Sequence, residues 1–149
     1  MPLTETGNFS REELGCRLHP FLLVFLQELR QVTQMCIDIT STIRTFEEHV
    51  AIYKKNYPDN WQDKITLRSA HLPQVLENGE ISPYCHAVDF SIRGIEDHKT
   101  EEFLFRPIIE KGINMLFPKE SQAYGLGIAK DFIHLDCAPH RTSMAKWGY

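Results

Sequence analysis

The sequence predicts a single α+β domain in which a small antiparallel sheet, carrying a metal site, packs against helices. Three observations point there. Apolar residues recur at helical spacing after Pro20, alternating or β-branched runs appear as "MCIDITSTI", "HAVDFSI", "AYGLGIA" and "FIHLD", and neither a repeat nor a low-complexity linker divides the chain. At 149 residues one domain (1–149) is the default, and a hydrophobic content of 42% fills a core without disulfide staples.

Each element has a local cause. "SREE" at Ser10 to Glu13 is a capping-box pattern, in which the Ser oxygen accepts from a first-turn N–H and the Glu carboxylate reaches back to the cap N–H. It predicts a short opening helix. From about Pro20 the stripe Leu22, Leu26, Leu29 and Val32 predicts a longer amphipathic helix that buries those four side chains. "MCIDITSTI" reads as a strand. A second capping box, Thr45 with Glu48, opens the helix "TFEEHVAIYKK", whose lysines suit the negative C-terminal end of the helix dipole. Between Asn56 and Pro83 the pattern gives way to Pro, Asn, Asp and Gly, which predicts a long loop or lid.

Order returns at "HAVDFSI", where Val88, Phe90 and Ile92 fall on one face of a strand and Ala87, Asp89 and Ser91 on the other. Asp89 therefore points away from the apolar layer. "KTEEFLFRPIIEKGINMLF" reads as a helix interrupted near Pro107, and "AYGLGIA" and "FIHLD" as the two final strands, joined by a short turn.

Composition excludes several classes of function. A formal charge of −4 supplies no basic field for nucleic acid. The most apolar run, "PFLLVFLQELRQ", meets Gln27, Glu28 and Arg30 within two turns, whereas a spanning helix needs about 20 apolar residues. "MPLTETGNFSREE" has neither the basic start nor the apolar middle of a secretory signal, so the expectation is synthesis in the cytoplasm. Cys16, Cys36, Cys85 and Cys137 form no CxxC pair, and are expected to be small buried hydrophobes.

The unusual feature is the last strand, which places His134 and Asp136 in a setting that normally takes Val, Ile or Leu. A buried ionisable group is costly unless it is paired or bound to a metal. Three separated residues, His71, Asp89 and His134, can converge on one sheet face, and two imidazoles with a carboxylate make a tetrahedral zinc site with its fourth position open. His49, His98, His19 and His140 are expected at solvated or capping positions.

Four collinear segments then carry a resemblance. "NFSREELGCR" is similar to an "FS..E..C" opening, "ITSTIRTFEEHVAIY" to "TSGYRT..EQ..LY", "SAH" followed by "HAVDF" to the metal motif "SxHxxGxAxD", and "FIHLD" through "KWGY" to "FVHVD...RxW". In these the chain resembles, nearly end to end, the zinc D-alanyl-D-alanine peptidases, a group that includes vancomycin-resistance peptidases, phage endolysins and murein endopeptidases. The resemblance implies a Zn2+ ion held by His71, Asp89 and His134, with Arg44 as the guanidinium that stabilises the oxyanion at the scissile carbonyl. It implies a general base three residues before the last ligand, at Asp131. Strand parity favours Asp136 instead, either as base or as the group that orients an imidazole.

The departures leave alternatives. His71 and Asp89 are further apart than the family motif allows, so "PQVLENGEISP" must loop out between them, and His86 is a rival first ligand beside the strand that carries Asp89. "STIR" stands for "SGYR", and Cys85 for a glycine. The resemblance implies hydrolysis of a peptide bond in peptidoglycan stem peptides or cross-links, by a phage or prophage lysis enzyme that reaches the wall after release. A silent zinc or wall-peptide binding module on the same scaffold is one alternative. A cysteine hydrolase using Cys85 and His86 is another, poorly served by neighbours that point to opposite faces.

Overall fold

The first helix among the described residues, α1 (Pro20–Thr33), starts where proline is tolerated, with His19 as its N-cap accepting from the Phe21 N–H at Nδ1, and stops at Gln34, whose φ of 56° is left-handed. A computed structural model describes residues 17–66, 69–116, 123–139, 141 and 144–148. The capping box at Ser10 to Glu13, Cys16 and His140 lie outside the described residues. Leu22, Phe25, Leu26 and Leu29 of α1 are buried, but Val32 is 59% exposed. The stripe ends one turn before the helix does, and Val32 lines a shallow groove with Met115.

The chain continues through β1 (Ile37–Ser41), α2 (Phe46–Asn56), the single turn α3 (Trp61–Lys64), β2 (Ala87–Ile92), α4 (Glu102–Leu116), β3 (Gly125–Ile128), β4 (Ile133–Asp136) and β5 (Ala145–Gly148). The expected α+β class holds. Helix α2 opens on the predicted capping box: Thr45 Oγ1 accepts from the Glu48 N–H at 3.1 Å, and the Glu48 carboxylate from the Thr45 N–H at 3.3 Å.

The strands order as β1-β2-β4-β3-β5 in one five-stranded sheet. Four of them run antiparallel, as expected, while β5 adds to β3 in parallel and makes the sheet mixed. This fifth strand was not anticipated, because "AKWG" is short and its residues are at most half-buried. Helices α1 and α4 cover one face, where Phe25, Leu26, Phe105, Ile109 and Ile113 meet Val88, Phe90, Ile92, Leu126, Ile133 and Leu135. Period-two alternation therefore sends Asp89, His134 and Asp136 to the other face.

Two expectations need correction. Helix α4 runs unbroken through Pro107. A proline inside a helix costs about 3 kcal/mol, but burying large apolar side chains returns about 1.5–3 kcal/mol each, and Phe105, Ile109 and Ile113 are all buried. His49 and His98 are buried rather than solvated. His98 Nδ1 donates to the Lys130 carbonyl while Nε2 accepts from the Ile92 N–H, and His49 Nε2 donates to the Thr66 carbonyl at 2.7 Å. Each ring holds a loop to the body of the fold.

The stretch from 56 to 83 is a loop with internal structure. Within it "PQVLENGEISP" folds back on itself, with Val75 bridged to Ile81, Ser82 N–H donating to Gln74 O, and Gly79 turning the chain at a φ of 82°. The predicted insertion is thus a small hairpin.

Candidate metal centre

Three elements deliver the candidate ligands. Asp89 and His134 sit directly opposite each other on β2 and β4, and the sheet register alone brings His134 Nδ1 to 2.8 Å from Asp89 Oδ1. His71 arrives from the loop, fastened by its own backbone carbonyl, which accepts from the Arg44 N–H, and by Nδ1, which donates to the Thr42 carbonyl. That second bond fixes the tautomer and leaves the Nε2 lone pair facing the site. His71 Nε2 lies 3.1 Å from Asp89 Oδ1 and 3.2 Å from His134 Nδ1.

One donor atom from each residue lies within 4.8 Å of the others, and all three residues are buried. This cluster can bind a metal ion. Because the 73–83 hairpin removes the extra length, His71 reaches Asp89 across eighteen residues of chain. His86, the rival, faces the other side of the sheet, with its ring toward Ser82 and Cys137.

Behind the cluster stands a support that sequence reasoning found only in part. His134 Nε2 donates to Asp136 Oδ2 at 2.6 Å, and Asp136 accepts a two-pronged bond from Arg141, Nε to Oδ1 at 2.6 Å and Nη2 to Oδ2 at 2.8 Å. Asp136 is fully buried and every contact fixes its direction, so it orients His134. The Trp147 ring stacks at 5.4 Å from His134 and carries the Arg141 guanidinium on its face. Trp147 stands where the resemblance puts the Trp of the "RxW" ending, but Arg141 precedes it by six residues and not two, so its role had no signal in the sequence.

The electrostatics follow from this packing. Burial acts to raise the Asp89 carboxyl, but bonds from His134 and His71 outweigh it and hold the group well below the usual carboxylate range. Burial likewise opposes charge on His134, yet Asp136 and Asp89 flank the ring and lift it to about 9. Burial raises Asp136 too, and Arg141 with His134 overcomes it, bringing the carboxyl down to about 2. Without a metal, a protonated His134 ring therefore sits between the two acids, Nδ1–H donating to Asp89 and Nε2–H to Asp136.

Arg44 enters the site from the segment after β1, with Nη2 3.8 Å from Asp89 Oδ2 and Nε buried without a hydrogen-bond partner. Asp131 occupies the bend between β3 and β4, exposed, immediately before Phe132. Phe132 lines the cavity in front of the cluster, about 560 Å³, together with Arg44, Tyr53, Tyr57 and Trp147, whereas Asp131 does not. Cys85 is buried, and its thiol donates to the Ala87 carbonyl at 3.1 Å; Cys36, expected inside, is exposed. No described helix is long and apolar enough to cross a membrane. In comparisons with known proteins, the chain matches no family model, no curated protein and no solved structure.

Proposed function

We propose that this chain is a zinc-dependent peptidase that hydrolyses a peptide bond in the stem peptides or cross-links of peptidoglycan. The observation that carries the reading is the meeting of His71, Asp89 and His134 in one cleft beside Arg44, from positions matching the metal motif the sequence resembles. The donor set suits zinc: two imidazole nitrogens with fixed tautomers, one carboxylate, and room in front of them. When bound, the ion supplies Lewis acidity and lowers the pKa of a coordinated water to about 7.

The chain's own residues do the rest. His71 presents Nε2, His134 presents Nδ1 and Asp89 presents Oδ1, with the two rings held from behind before a ligand arrives. Arg44 lines the cleft beside Asp89, and the resemblance gives its guanidinium the role of stabilising the oxygen that gains charge as a peptide carbonyl is attacked. Tyr53, Tyr57, Phe132 and Trp147 form walls against which a short peptide can lie. Asp136 is fully engaged with Arg141 and His134, so it positions and does not accept the water proton. The resemblance gives that role to Asp131, which lies in the bend ahead of Phe132. The likeness to phage endolysins suggests a lysis enzyme that meets the wall after release.

A wall-peptide binding module without turnover is the second reading, and the exposure of Asp131 outside the cavity lining favours it. Soluble peptide released from purified murein decides between them. Zinc-loaded protein should release peptide, His134→Ala should lose both cleft metal and activity, and Asp131→Asn should keep the metal while turnover falls about a hundredfold to ten-thousandfold. Murein binding with zinc bound and no release would establish the binding module, and equal turnover in Asp131→Asn would remove that residue as base.

A further inference from the structure

A second group of metal-ligating side chains lies on the other side of the sheet. His86 immediately precedes β2 and Cys137 immediately follows β4, on strands paired so that the Cys137 N–H donates to the His86 carbonyl at 2.9 Å. Their parity is that of Val88 and Leu135, the apolar face. His19, the cap of α1, comes alongside, held by its own N–H on the Cys85 carbonyl, with its ring 5.1 Å from that of His86. One donor atom from each of His19, His86 and Cys137 lies within 4.8 Å of the others, and Cys137 Sγ is 4.0 Å from His86 Nδ1.

We propose that His19, His86 and Cys137 form a second metal site, for a thiophilic transition-metal ion of the zinc class. The donor set, two imidazoles and a thiol, excludes the hard ions Ca2+ and Mg2+, which take oxygen ligands. His86 Nδ1 lies 3.3 Å from the Cys137 carbonyl, to which an Nδ1–H donates, and its Nε2 is 2.6 Å from Ser82 Oγ; coordination through Nδ1 moves the ring proton to Nε2, where that hydroxyl can accept it. Burial, followed by the nearness of His86, lowers His19 to about 4, and burial also lowers His86, which favours neutral rings, whereas burial and Asp136 raise the Cys137 thiol to about 12, which opposes the thiolate a metal takes.

His19 gives something up. Its Nδ1 accepts from the Phe21 N–H in the described state, and coordination requires either that this lone pair turn to the metal or that Nδ1 carry the proton. Coordination therefore has to outweigh the loss of one cap hydrogen bond. The Cys137 thiol proton leaves to solvent as the sulfur–metal bond forms. The bound ion then ties the start of α1, the start of β2 and the end of β4 together at one point, one residue from the Asp136 that orients His134. It fastens the sheet end on which the first centre is built.

The test uses the full chain, kept reduced, titrated with Co2+ as a spectroscopic stand-in for zinc. The wild type should bind two equivalents and show a thiolate-to-cobalt charge-transfer band. Cys137→Ser should lose the band and one equivalent. His134→Ala should lose the other equivalent and keep the band, so this site and the peptidase centre succeed or fail separately. One equivalent and no thiolate band in the wild type overturns the site, and so does a band that survives Cys137→Ser, which would belong to another thiol. His86→Gln reads the same site without touching sulfur, and retention of both equivalents and the full band in it also overturns the assignment.

Discussion

His134 has a carboxylate at each ring nitrogen, and that arrangement serves a proton as well as a metal. Its pKa of about 9 lies above the ordinary histidine value near 6.5. The apo protein therefore gains stability from this group fully below about pH 6.5 and loses it as pH rises through about 9. Zinc must displace the Nδ1 proton, so its affinity at the cleft should climb up to about tenfold per pH unit until about pH 9 and then level off. Calorimetry near pH 6 in buffers of different ionisation enthalpy, on Cys137→Ser so that the thiol is silent, should count about one proton released per zinc. Zinc uptake without proton release would mean that the two carboxylates do not hold a protonated ring. Residue types alone suggested His71, Asp89 and His134 as a set. They could not settle the share of Asp136, because its work depends on Arg141, which comes back beside it only in the folded chain.

Among the elements, β3 is the one whose sequence is explained by its neighbours. A Cβ built on Gly125 would come within 2.5 Å of both Arg141 Nη2 and Asp136 Oδ2, so only glycine lets the Arg141–Asp136 pair cross this strand. Gly125→Ala should therefore displace the pair, lower the stability of the metal-free protein by about 1–3 kcal/mol and weaken cleft zinc binding about tenfold to a hundredfold through a loosened His134. Denaturant titration and zinc competition read the two effects, and a variant with native stability and native zinc affinity would show that the pair relaxes freely. Helices α1, α2 and α4 and strands β1 to β4 were legible in the sequence because period and capping are local signals. Strand β5 and the 73–83 hairpin were not. Strand β5 takes its structure from the open edge of β3, whereas the hairpin is local, turned at Asn78–Gly79, and was read only as a stretch that loops out.

For the molecule as a whole, the sheet separates two kinds of work: an apolar face closed by α1 and α4, and a polar face that opens into the cleft. That division followed from strand alternation, which is why the α+β class and the facing of Asp89 could be read in advance. The candidate ligands at 71, 89 and 134 are separated by 18, 45 and 63 residues of chain, and two of them meet only through the pairing of β2 with β4. No local fragment can hold an ion with all three donors. Closing contacts of that range late, after strand pairing, is the ordinary order of assembly, since loop entropy must be overcome before distant groups meet. Interactions absent from the transition state act on escape from the native state and leave its formation unchanged. A stopped-flow comparison with and without zinc should accordingly show slower unfolding and an unaltered refolding arm, whereas faster refolding would place the metal in the folding nucleus. On the first outcome the fold would form before the ion arrives, and a bound ion would set how long it lasts.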